Sequence, residues 1–107
     1  MYVKMKTGKL TRQKILALLH KHQDVLRAYR VRRIGLFGSY ATGKQHKRSD
    51  LDFLVEFEEP TFDNFMSLAE YLEKLFGKKV EILTPEGVKS IRIKEVADHI
   101  KKSVVYA

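Results

Sequence analysis

Two apolar stretches, Val31 to Phe37 and Leu51 to Phe57, stand only about a dozen residues apart, and that spacing restricts the fold more than anything else in the chain. In the first, Val31, Arg33, Gly35 and Phe37 alternate with Arg32, Ile34 and Leu36, and Gly38 closes the run. In the second, Leu51, Phe53, Val55 and Phe57 alternate with Asp50, Asp52, Leu54 and Glu56. A period of two is that of a strand with one buried face. Parallel neighbours need a crossover of a dozen residues or more, usually a helix, which this connection is too cramped to hold. An antiparallel return with one helical turn at Ser39 to Thr42 fits.

The flanking segments supply helices and a further strand. From Thr11 to about Tyr29, Ile15, Leu18, Leu19, Val25, Leu26 and Tyr29 recur at helical spacing, with Arg12, Lys14, Lys21 and Arg27 on the other face. Thr11 is placed as N-cap, and Leu10 and Ile15 as a hydrophobic staple across it. His20 and His22 lie two apart and point to different helix faces, which disfavours a paired metal site. Thr61 to Phe76 reads as a second amphipathic helix with Phe62, Phe65, Met66, Ala69, Leu72, Leu75 and Phe76 on one side, Thr61 as cap and Gly77 as stop. Lys79 to Leu83 is a third strand, parallel to the second if the intervening helix makes the usual crossover. Thr84-Pro85 starts a helix or turn. Ile93, Val96, Ala97, Ile100 and Val104 mark a last helix, while Val88 to Ile93 is compatible with helix or strand. The tail Val104-Val105-Tyr106 either packs on the core or docks a partner. The expected fold class is α/β (α+β): a small mixed sheet of about three strands flanked by helices, in a single domain over residues 1–107.

Composition narrows the function classes. A chain of 107 residues can bury one core. Its +8 charge, from 21 Lys and Arg against 13 Asp and Glu, favours an anionic partner. The cations are scattered, however, and pairs such as Lys78 and Lys79 or Lys101 and Lys102 read as solvated element ends. No aromatic residues interleave with them as a stacking platform, so direct nucleic-acid binding is disfavoured. The absence of Cys excludes disulfides and cysteine zinc sites. Neither a signal peptide nor a stretch approaching the ~20 apolar residues of a membrane span is evident, and the expected location is the cytoplasm.

Chemistry concentrates between Gly38 and Asp52. Asp50 and Asp52 occupy alternate positions and leave one strand face about 6 to 7 Å apart at the backbone. Two such anions repel unless a proton or cation intervenes. Oxygen ligands without Cys or paired His favour Mg²⁺ or Mn²⁺ over Zn²⁺. Glu81, between the core-facing Val80 and Ile82, points to the opposite face of its strand. If that strand neighbours the second, Glu81 completes a three-carboxylate cluster able to hold two metal ions. Gly38 permits a turn without a Cβ, and Ser39 then opens a helical turn with its N–H and hydroxyl toward an anion. Lys44, Lys47 and Arg48 are candidates for neutralising phosphate, with a solvated loop the equal alternative.

Gly-Ser, ten residues, then Asp-x-Asp, with strands on both sides and a third acidic residue on a later strand, resembles the signature of the DNA polymerase beta-like nucleotidyltransferase superfamily. The short chain looks like a minimal nucleotidyltransferase, the antitoxin of HEPN/MNT toxin-antitoxin pairs. The resemblance implies a nucleotidyltransferase fold, Gly38 and Ser39 on the nucleotide phosphates, and Asp50, Asp52 and Glu81 on Mg²⁺. It further implies ATP as donor and transfer of AMP to a tyrosine hydroxyl of a HEPN ribonuclease toxin, with loss of pyrophosphate. Alternatives are a non-catalytic antitoxin that blocks the toxin by binding, or adenylylation of another acceptor. Two positions depart from the usual motif: Thr42 stands where an arginine is frequent, leaving Lys44 or Arg48 as substitutes, and Glu81 stands where Asp is common.

Overall fold

The computed structural model describes residues 10–46 and 48–107. The first helical stretch divides in two. Helix α1 spans Arg12–Lys21 and α2 spans Gln23–Ala28. The break is at His22, which leaves helical geometry (φ −103, ψ 22) while its N–H donates to the carbonyls of Leu18 and His20. The apolar spacing continues across this kink and so predicted one helix. Thr11 caps α1, its hydroxyl accepting from the Lys14 N–H at 3.3 Å.

Strand β1 is Val31–Phe37. Its alternation is interrupted by a register shift between Val31 and Arg33, which leaves Arg32 and Arg33 both exposed and returns Ile34 and Leu36 to the core. Helix α3, Ser39–Thr42, is the single turn expected between the strands. Strand β2, Leu51–Phe57, pairs antiparallel with β1. Asp50 therefore lies one residue before β2 and does not open it.

Helix α4, Phe62–Phe76, is capped by the Thr61 hydroxyl, 3.1 Å from the Asn64 N–H, and ends at left-handed Gly77. Its buried row is Leu68, Leu72 and Phe76. Phe62, at 77% exposure, and Met66, at 41%, do not join the core as their apolar character predicted. They lie on the row continued by Glu70 and Lys74, which faces solvent. Thr61→Ala removes the cap and is expected to lower stability by about 1 kcal/mol, read as a shift in urea midpoint with an unchanged slope.

Strand β3, Val80–Leu83, pairs parallel with β2. Helix α5, Pro85–Lys89, has Thr84 as its cap, so the segment after Val88 is not a strand. Helix α6 follows at Lys94–Ser103 and the chain ends in β4, Val105–Tyr106. This fourth strand exceeds the three expected: the apolar tail pairs with β1 at Leu36 and Gly35.

The sheet order is β3-β2-β1-β4. On one face α1, α2 and α4 bury Ile15, Leu19, Leu26, Leu68 and Leu72 against Leu36, Phe53 and Val55. On the other face α5 and α6 form a smaller core of Phe37, Leu54, Val88, Ala97 and Ile100. Ile93 and Val96, assigned to the apolar stripe of the last helix, remain exposed. No helix among the described residues is long and apolar enough to cross a membrane.

Candidate active site

The end of β1 and the starts of β2 and β3 meet at one end of the sheet. The ladders place Phe37 opposite Asp52 and Asp52 beside Glu81, so the two carboxylates leave adjacent strands, spaced about 4.8 Å apart, on the same face. Asp50 is exposed just ahead of them.

Gly38 links this acidic pair to the helical turn. Its backbone is at φ 76, ψ −155, a conformation readily adopted only by glycine. A Cβ at this position would collide with Oδ2 of Asp52. The Asp52 carboxylate thus packs directly against the α-carbon that precedes α3. Tyr40 and Ala41 anchor α3 in the main core, and left-handed Gly43 ends it. The Ala41 and Thr42 N–H groups donate to the Gly38 carbonyl at 3.1 and 3.2 Å, while those of Ser39 and Tyr40 lie ahead of the first bond of the turn, beside Asp52.

The electrostatics are those of a carboxylate set among other carboxylates. Asp52 is half-buried, and its pKa is raised from 3.8 to about 6, first by burial, then by Glu81, then by Asp50. Among the described residues no three His, Asp or Glu side chains are drawn together into a ready metal cage. The donor set fits a hard divalent ion: all oxygen, three carboxylates in electrostatic reach, and one held ionised at a cost.

The cations fall differently from the sequence reading. Lys44 and Arg48 are exposed, and Lys47 lies outside the described residues. Thr42 does not reach outward; its hydroxyl donates to the carbonyls of Gly38 and Ser39, both at 3.3 Å. Arg12, assigned to a solvated helix face, donates through Nη1 to the carbonyl of Ala41 at 3.1 Å and supports α3 from α1. Lys78, also read as solvated, is half-buried, with Nζ 3.2 Å from the Ser49 carbonyl and 5.8 Å from the centre of the Tyr40 ring. Neither contact leaves a mark in local sequence, because each joins elements far apart in the chain.

The nucleotidyltransferase domain family matches this chain over residues 19–107. The chain is a nucleotidyltransferase. Relatives of similar length support the assignment. A provisionally named protein adenylyltransferase of Methanocaldococcus jannaschii is 42% identical over 100 residues, which is 90% of this chain and 97% of that protein. The protein adenylyltransferase MntA of Thermococcus cleftensis is 40% identical over 99 residues, covering 91% and 96% of the two chains. Among solved structures, a provisionally assigned minimal nucleotidyltransferase superposes with TM-score 0.71 at 24% identity over 92% of this nucleotidyltransferase and 98% of that chain. A chain from a toxin-antitoxin crystal structure with AMP-PNP superposes with TM-score 0.59 at 23% identity, over 91% and 72%. These two likenesses establish the fold: a mixed sheet flanked by helices.

Proposed function

We propose that this nucleotidyltransferase is a Mg²⁺-dependent protein adenylyltransferase that moves AMP from ATP to a tyrosine hydroxyl of a HEPN-family ribonuclease toxin and so acts as its antitoxin. The observation that carries the reading is the packing of the Asp52 carboxylate against Gly38 with Glu81 beside it, which joins an anion-binding turn to an acidic pair. Support for the acceptor class comes from the names of the relatives, which are protein adenylyltransferases, and from the toxin-antitoxin origin of the fold neighbour with AMP-PNP.

In this mechanism the turn opened by Gly38 and Ser39 binds the phosphates through its free N–H groups. Asp50, Asp52 and Glu81 would hold the divalent metal, Mg²⁺ or Mn²⁺, with room in the proposal for two ions. When bound, the metal supplies positive charge to the phosphates and favours ionisation of the acceptor hydroxyl. The acceptor oxygen forms a bond to the α-phosphorus, and the bond from that phosphorus to the α,β-bridging oxygen breaks. Pyrophosphate leaves with that electron pair. The hydroxyl proton passes to the carboxylate pair.

Incubation with the HEPN-family protein and ATP labelled at either the α- or the γ-phosphate tests the reading. The α-label should become covalently attached to the acceptor while γ-label leaves as pyrophosphate. Attachment of the γ-label would make the reaction a phosphorylation. No label on the acceptor in a stable complex would leave antitoxin action to binding alone. Either result overturns the proposal.

A further inference from the structure

Three parts of the site come from separate segments: the α3 turn, the lead into β2 at Asp50, and β3 with Glu81. Lys78 touches the first two and springs from the lead into the third. Its Nζ is 3.2 Å from the carbonyl oxygen of Ser49, which belongs to the peptide joining Ser49 to Asp50. The same ammonium stands 5.8 Å from the centroid of Tyr40, within cation-π range, and Tyr40 directly follows Ser39. The backbone that carries Lys78 is fixed. Gly77 ends α4 in the left-handed conformation, the Val80 N–H donates to the Glu73 carboxylate at 3.2 Å, and the Lys79 carbonyl accepts from Leu51 at 3.1 Å. Ser49 is held equally well, its hydroxyl accepting from the His46 N–H at 2.9 Å and its own N–H donating to the His46 carbonyl at 3.0 Å.

We propose that Lys78 is a positioning residue that sets the peptide before Asp50, and hence the direction of the Asp50 carboxylate, relative to the α3 turn. The inference rests on the reading of Asp50 as a metal ligand. Partners hydrogen-bonded to a metal ligand contribute about 10- to 100-fold to metal affinity or activity, and Lys78, which holds the peptide next to the ligand and not its carboxylate, is expected toward the lower end of that range. The ammonium supplies both the donor to Ser49 and the charge near the Tyr40 ring, whereas the aliphatic stem supplies apolar bulk. Lys78→Met separates the two, keeping most of the stem and losing the ammonium.

The test is calorimetric titration of Mn²⁺ into the protein saturated with an α,β-methylene analogue of ATP, together with turnover and thermal midpoint. Lys78→Met should weaken Mn²⁺ binding and lower kcat, each about 10-fold, with KM for ATP and the thermal midpoint close to wild type. Lys78→Arg, which keeps a donor and a charge, should recover part of both losses. A raised KM for ATP with unchanged Mn²⁺ binding would make Lys78 a phosphate contact and overturn the inference. Activity lost only in proportion to unfolded protein would overturn it too. Asp50→Asn, titrated in parallel, separates the two levels. If Asp50→Asn binds Mn²⁺ as wild type does, the Asp50 assignment fails and the Lys78 inference with it. If Asp50→Asn loses binding and Lys78→Met does not, only the Lys78 inference fails.

Discussion

Asp52→Asn is expected to reduce AMP transfer by about 10³-fold or more, equivalent to roughly 4 kcal/mol of transition-state stabilisation, while making the metal-free protein more stable at neutral pH. Both effects have one origin. Asp52 is half-buried beside Glu81 and Asp50, and its pKa is raised from 3.8 to about 6. A carboxylate held in that position without a cation is a cost to the fold, and the same unmet charge is what a divalent ion would satisfy. The amide keeps the volume and removes the charge.

The sign of the pH dependence follows. With the folded pKa above the unfolded one, the native state binds more protons between about pH 4 and pH 6, so stability falls as pH rises through that window. The contribution of Asp52 is fully present below the unfolded pKa and is lost above the folded one. The full shift corresponds to about 3 kcal/mol, but the side chain is only half-buried and solvent screens it. Asp52→Asn should therefore exceed wild type by on the order of 1 kcal/mol at pH 7 to 8, with the difference shrinking toward zero near pH 4. Denaturant melts of both proteins in EDTA across this range check it. Added Mg²⁺ and ATP should then stabilise wild type and leave the variant nearly unchanged.

Gly38→Ala should damage the fold and the chemistry together. Its backbone lies at φ 76, where a side chain costs about 1 to 3 kcal/mol. The added methyl would also meet Oδ2 of Asp52. Either the carboxylate swings away or the turn re-forms, and both separate the N–H groups proposed to bind phosphate from the acid. A displacement on the order of 1 Å can cost about 10² in rate, so transfer should fall about 100-fold or more even in the folded fraction. The informative comparison is Gly43→Ala. Gly43 also has φ 76, but its Cβ would meet nothing within 4 Å. It should show the conformational cost with little loss of activity per folded molecule. Equal activity losses in the two variants would argue against a special contact at Gly38.

The parts of this site that were legible in the sequence are those carried by one short run. Gly38-Ser39 and Asp50-x-Asp52 flank a single connection whose length dictates an antiparallel return, and the 15-residue helix α4 then dictates a parallel β3 that brings Glu81 beside Asp52. Connection length and alternation were enough. Features held by tertiary context were not legible. Strand β4 has two residues, too few to show a period. It is held by Val104 and Tyr106 covering Gly35, and by the Arg33 guanidinium 4.1 Å from the Tyr106 ring centre. The kink at His22 has no Gly or Pro to announce it. Phe62 and Met66 carry apolar character onto a solvent-facing row, where composition overrode spacing. Lys78 and Arg12 look like surface cations until α3 and the Ser49 carbonyl are brought against them.

The decisive measurement is the intact mass of the proposed partner, a HEPN-family toxin, after incubation with this nucleotidyltransferase, ATP and Mg²⁺, compared across wild type, Asp52→Asn and an EDTA control. One or more added AMP units are expected with wild type, and none with Asp52→Asn or with EDTA. Full modification by the Asp52→Asn protein, or modification that persists in EDTA, would contradict the proposed function.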